Sequence, residues 1–154
     1  MKKISPISSM FQSIKYLLTG RIHFLHTSVG KKMVLDNEEW VVFRQIVVEP
    51  DKNRPEIPQA VFRPRFHVKG MKVKQNILFS NFSIPFFIGL PGFRSKTWMY
   101  NEETGDFSGY YEWDTVEDAE NYKNSFAASF MTNRSEPESV SFTVQKRVAA
   151  NPFF

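Results

Sequence analysis

The sequence predicts an α+β domain of the ferredoxin-like class: a four-stranded antiparallel sheet with two helices on one face. Three observations lead there. From Val61 onward the spacing of apolar residues changes in the order strand, helix, strand, strand, helix, strand, which is the split βαβ arrangement. Two aromatic runs, 93–100 and 107–113, stand on either side of a polar NEETGD turn and read as a hairpin. The chain also holds sixteen Phe in 154 residues, so aromatic side chains can fill one core of this size. With both helices on one face, the other sheet face needs a cover, and a second copy of the chain is the expected one. The sequence therefore predicts a homodimer, sheet against sheet, as a dimeric α+β barrel.

At the start, Met10, Phe11, Ile14, Leu17, Leu18, Ile22 and Leu25 recur at three- and four-residue spacing. This predicts an amphipathic helix over 10–25, capped by Ser8 or Ser9, weak at Gly20, and docked by its apolar face. Residues 1–39 form a basic N-terminal extension. The run WVVFRQIVV at 40–48 predicts an extra strand, at a sheet edge or reaching to a partner, and 49–59 is a Pro-rich loop. The domain proper spans 61–148. Within it Phe62, Phe66 and Val68 alternate with Arg63, Arg65, His67 and Lys69. Pro64, which has no ladder donor, predicts a late strand start, a bulge or an edge. Val73, Ile77, Leu78 and Phe82 keep helical spacing up to Pro85. After the hairpin comes a helix carrying Ala119, Tyr122, Phe126 and Phe130, capped by Asp114 or Thr115 with Glu117 or Asp118 completing a capping box. Val140, Phe142 and Val144 make the last strand, and the tail 149–154 ends in two Phe that point to a contact surface.

Composition removes several function classes. There is no Cys, so disulfides, thiolate nucleophiles and cysteine metal sites are excluded. The three His are too few and too scattered to predict a metal site. The net charge of +4 is uneven: residues 1–35 carry six Lys or Arg and no acid, and the remainder carries fourteen basic against sixteen acidic side chains. The body is therefore not a basic nucleic-acid reader. No apolar run approaches the roughly 20 residues of a membrane span, and the start lacks the compact apolar core of a secretory signal. A cytoplasmic location follows, with membrane-surface contact through the basic N-terminal helix as the alternative. Phosphate-cradling, dinucleotide, serine-hydrolase and zinc-protease motifs are all missing.

Residues 90–122, LPGFRSKTWMYNEETGDFSGYYEWDTVEDAENY, resemble the YdhR-like monooxygenase family of the dimeric α+β barrel superfamily. The resemblance rests on a Pro-Gly turn, a Lys-Thr-Trp strand, an acidic hairpin loop, a Gly-Tyr-Tyr-x-Trp-Asp strand and an Ala-x-x-Tyr helix. It extends over about 61–147. It implies a cofactor-independent monooxygenase that takes a small hydrophobic or aromatic molecule between sheet and helices. Two other readings stay open: a non-catalytic dimeric barrel that binds a ligand or a partner, and a haem-binding or haem-degrading protein.

The candidate site residues follow from this frame. Trp98 and Trp113, on neighbouring strands of the hairpin, are walls for a pocket, although core packing explains the same pair. Tyr111 shares a strand face with Trp113, and its hydroxyl can orient a ligand or satisfy a buried partner. His67 is the candidate base, and the imidazole available to a haem iron, although its neighbours Arg65 and Lys69 suit a solvated face. Asn76 can hydrogen-bond a ligand carbonyl or dioxygen. Arg94 and Lys96 share the Trp98 face, where they bind a ligand carboxylate or stand as exposed hairpin charges.

Overall fold

The computed structural model describes residues 5–154. Lys2 and Lys3 of the basic start lie outside them. The helices are α1 (Pro6–Leu18), α2 (Val73–Phe79), α3 (Ile84–Phe87), α4 (Val116–Lys123) and α5 (Phe126–Thr132). The strands are β1 (Ile22–Leu25), β2 (Lys32–Leu35), β3 (Glu38–Val48), β4 (Ala60–Phe66), β5 (Phe93–Tyr100), β6 (Phe107–Trp113) and β7 (Ser141–Lys146). All strand pairs are antiparallel, and the order is β1-β3-β5-β6-β4-β7, with β2 pairing a further part of β3. The four strands β5-β6-β4-β7 with their helices are the ferredoxin-like unit. The predicted extra strand, β3, lies beside β5 of its own chain, and β1 and β2 extend the sheet beyond it. The sheet is open within the chain and does not close into a barrel.

Pro64 sits in none of the three places predicted for it. Its strand runs between β6 and β7, and the β4–β6 ladder keeps one register from Phe62↔Tyr111 to Arg65↔Ser108 across it. The Pro64 carbonyl is met by a side chain, accepting from Ser108 Oγ at 2.7 Å. The helix after the hairpin divides into α4 and α5, because Ser125 caps a new helix by accepting from Ala128 N–H at 3.3 Å. Thr115 caps α4 in the same way through Asp118 N–H.

The N-terminal helix departs most from expectation. It ends at Leu18 instead of running to 25, since Gly20 takes φ +68° and Ile22–Leu25 turns back as β1 against β3. It docks on the α3 region by its small polar face: Ser9 Oγ donates to the Phe86 carbonyl, and Ser13 Oγ to that of Pro85. The backbones are so close that a Cβ on Gly89 would stand 1.9 Å from the Ser9 carbonyl oxygen. Only small residues fit such a contact; Tyr16, one turn on, reaches the core, and most of the other large side chains face outward. Ile7, Phe11, Ile14, Leu17 and Leu18 are 44–82% exposed.

The two sheet faces carry different cores. Toward the helices, Phe62, Phe87, Phe93, Trp98, Tyr111, Trp113 and Tyr122 pack with Ile46 and Val48. On the opposite face Trp40, Val42, Val61, Met99 and Tyr110 pack under Phe153. Phe153 stacks edge-on to Tyr110 at 5.5 Å, and its carbonyl accepts from Ser28 Oγ at 2.8 Å and Gln45 Nε2 at 3.2 Å. The chain's own tail therefore covers a region where a second subunit was expected, while Phe154 is left exposed. Phe153→Ala should cost about 3–5 kcal/mol, as a fully buried aromatic replaced by a cavity does. A urea midpoint unchanged from the wild type would show that the tail contributes nothing to that core.

Candidate functional site

A cavity of about 50 Å³ lies between the helix-side face of the sheet and the layer of α2, α3 and α5. Its floor comes from the hairpin. Lys96 and Trp98 of β5 and Tyr111 of β6 project to the same side, and Lys96 pairs directly across from Tyr111. Its walls are Phe87 and Tyr122, with Asn76 from α2 above. Phe79 and Phe130 form the rim, stacked at 5.8 Å with Arg134 lying 3.5 Å over the Phe79 ring. Among the described residues no Asp or Glu lines the cavity.

Register explains why the floor has this shape. Trp98 pairs with Gly109, which has no side chain to compete for the space. A Cβ at Gly109 would stand 2.4 Å from Cε2 of Tyr111. The glycine thus allows the Tyr111 ring to lean back along its own strand, and the GYY triplet is a packing requirement. Beyond Tyr111, Tyr122 Oη donates to Tyr111 Oη at 3.4 Å.

Lys96 is the chemically unusual group. It is 5% exposed, and its Nζ stands 4.2 Å from the ring centre of Trp98, 4.3 Å from Tyr111 and 4.5 Å from Phe87. It makes no hydrogen bond or ion pair with the described residues. The charge that acts on it is another cation, Arg44, whose guanidinium lies 5.3 Å from the ring centre of Trp98 and bonds Ser80 Oγ at 2.7 Å. A desolvated cation over aromatic faces regains about 2 kcal/mol per good contact. Burial costs several kcal/mol per ion, so the two are of the same order. Arg44 then favours the neutral amine. Burial, with the Arg44 repulsion second, pushes Lys96 well below its ordinary value of 10.5. Burial acts the other way on the phenols: Tyr111 goes well above 10, and Tyr122 is pushed up to about 12. Burial thus favours the uncharged form of both phenols and of the amine.

The predicted site residues are distributed as follows. Trp98, Tyr111 and Asn76 line the cavity, and the buried Asn76 side chain makes no hydrogen bond with the described residues. Trp113 lies behind it in the core, packed on Phe93 and Tyr122, with its Nε1 unpaired. Arg94 serves the chain itself. Its Nη1 donates to Asp114 Oδ1 at 3.0 Å and to the Pro55 carbonyl, its Nη2 to the Glu56 carbonyl, and Arg54 binds the other Asp114 oxygen. The ion cluster fastens the Pro-rich loop to the end of the hairpin. His67 is outside the cavity, part exposed, its Nδ1 3.0 Å from Asp106 Oδ1 beside the hairpin turn. Lys96 was legible only as one of a pair of strand charges. Its parity with Trp98, two residues on, is the signal that it faces inward.

A haem does not fit these residues. Among the described residues no histidine lines the cavity, and no group of three or more His, Asp or Glu stands together to hold a metal.

The buried lysine has a thermodynamic signature. The unfolded chain keeps Lys96 protonated up to about pH 10.4, whereas the folded chain releases that proton at lower pH, so stability rises with pH between the two values. Below the folded value the full penalty applies. Lys96→Met should therefore be more stable than the wild type near pH 6, with the difference shrinking as pH approaches about 9.5, before the tyrosines ionise. A difference independent of pH over this range would show that the amine keeps its ordinary affinity for protons.

No family model matches the sequence, and no curated protein matches it. Solved structures do resemble it. An uncharacterised ferredoxin-fold protein related to antibiotic biosynthesis monooxygenases, from Listeria monocytogenes 4b F2365, superposes with a TM-score of 0.56 at 13% identity, over 89% of this chain and 88% of that one. A heme-degrading enzyme from Listeria monocytogenes superposes with a TM-score of 0.53 at 13% identity, over 85% and 90% of the two chains. At such identity the likeness shows the fold alone: a ferredoxin-like α+β chain, shared with antibiotic biosynthesis monooxygenase-related proteins.

Proposed function

We propose that the chain binds a small hydrophobic, aromatic molecule against Trp98 and Tyr111 and oxidises it with dioxygen as a cofactor-independent monooxygenase. The observation that carries the reading is the Lys96 amine, buried, unpaired and facing a cavity with no carboxylate. The YdhR-like pattern of 90–122 and the fold of the superposed proteins support it.

The residues suggest a sequence of steps that balances. Lys96 Nζ takes a proton from an activated CH₂ of the substrate. The electron-rich carbanion adds dioxygen, the lysine returns its proton to give a hydroperoxide, and loss of water leaves a carbonyl. The net change is CH₂ plus O₂ to C=O plus H₂O, and the substrate supplies every electron. Asn76 holds the developing oxygen, and the aromatic walls exclude water. A ring-sized substrate requires the Phe79–Phe130 rim to part, since the enclosed space of about 50 Å³ admits only a few atoms.

An oxygen electrode with quinols, polyphenols and ketones bearing a benzylic CH₂ tests the reading. Uptake of one O₂ per product, with Lys96→Gln lowering kcat/KM by roughly 10²–10⁴, is expected. Ligand binding without oxygen uptake across the panel would leave a binding protein in its place.

We further propose that the chain forms a homodimer. With the tail over part of the bare sheet face, α1 presents a run of exposed apolar side chains, Phe11, Leu17 and Leu18 among them, beside Lys15. Light scattering should give the dimer mass for the full chain and the monomer mass for a Phe11→Glu, Leu18→Glu variant. A wild-type monomer that sediments with anionic vesicles would instead assign this surface to a membrane.

A further inference from the structure

We propose that Lys96 is a covalent capture site for a small aldehyde or ketone, which it holds as an imine in the cavity. This goes beyond oxidation and does not depend on it.

Two buried polar groups face the cavity without partners among the described residues: the Lys96 amine and the Asn76 amide. Both line the cavity, so a molecule that enters it meets the amine and the amide together. A carbonyl compound suits this pair. Its electrophilic carbon suits the amine, and its oxygen accepts from the Asn76 NH₂ until it leaves as water. A carboxylate ligand would suit an ammonium instead, but burial and Arg44 weigh against the charged form. A desolvated lysine beside another cation is the setting in which an amine becomes a nucleophile at neutral pH.

The step conserves atoms and electrons. The lone pair of Lys96 Nζ forms the C–N bond as the carbonyl π pair moves to oxygen, giving a carbinolamine. Both amine protons leave with that oxygen as water, and a C=N bond remains. No oxidant takes part. Three ring faces around the nitrogen then enclose the imine, and their exclusion of water slows its hydrolysis. The cavity of about 50 Å³ admits a short aldehyde as it stands, where a single water needs roughly 10–15 Å³.

Trapping tests it directly. The full chain is treated at pH 7 with propanal, and separately with benzaldehyde, plus cyanoborohydride under argon, and then peptide-mapped. The expected result is alkylation of Lys96 at least tenfold ahead of the other lysines. Only about 0.1% or less of each exposed lysine is neutral at this pH. The α-amino group, with an ordinary value of about 7.7–8.0, is the internal reference and maps to a different peptide. The preference should vanish in urea, which needs no variant that folds, and Lys96→Arg should remove the adduct. Alkylation of Lys96 no faster than that of the surface lysines in the folded chain would overturn the proposal. Because oxygen is excluded, this result is separate from the outcome of the oxygen-uptake assay.

Discussion

The register of the β5–β6 hairpin is the constraint on which the site depends. It sets Lys96 opposite Tyr111 and Trp98 opposite Gly109, so that one strand face carries a tryptophan, an amine and a phenol within a single cavity floor. A slip of one residue would turn all three to the other side of the sheet. Both ends of the hairpin are fixed by side chains. At the turn, Asn101 Oδ1 accepts from Glu103 N–H at 2.9 Å and Thr104 N–H at 3.0 Å, and Gly105 takes φ +74°. At the far end, Arg94 and Arg54 share the Asp114 carboxylate. Replacing one of these partners would leave a buried charge uncompensated, which is the costly way to break such a cluster.

The two faces of the sheet solve different problems. The helix side is a web of aromatic edge-to-face contacts, in which Phe62 meets Tyr111 and Tyr122 at 5.3 and 5.1 Å. Its one unpaired cation is placed where an open space adjoins it. The opposite side mixes apolar residues with buried polar ones, many of them paired. Gln45 bonds Ser28, Thr97 and Phe153, and Ser95 bonds Glu112, whereas Arg63 Nε and Asn151 Nδ2 are buried without a hydrogen-bond partner. What sets the helix side apart is that its amine and amide line an open space.

Much of this was legible in the sequence, and the rest was hidden for physical reasons. Alternation and turn chemistry set the strand order from Val61 and the hairpin, because both signals are local. The N-terminal helix was misread in length and in facing. A period of 3.6 reports that a face is apolar, not what it meets, and close backbone packing through Ser9, Ser13 and Gly89 reversed the expected contact. Pro64 looked excluded from an interior strand by its missing donor, yet β4 pairs on both sides of it, and its carbonyl is met by Ser108, 44 residues away. Trp98, Tyr111 and Asn76 do meet at the cavity, whereas His67 and Arg94 are engaged with Asp106 and Asp114. Partners of that kind are non-local, and a single sequence does not announce them. Lys96 was visible as a strand charge, yet its aromatic surroundings come from three separate elements.

The central claim is that burial beside Arg44 lowers the proton affinity of the Lys96 amine well below that of an exposed lysine. The protonation of each lysine can be followed through its Cε and Nζ resonances in protein labelled at lysine, with Lys96→Arg assigning the signal. The account predicts one lysine that titrates well below 10.5 while the others titrate near it. A Lys96 resonance that moves together with those of the exposed lysines would contradict it.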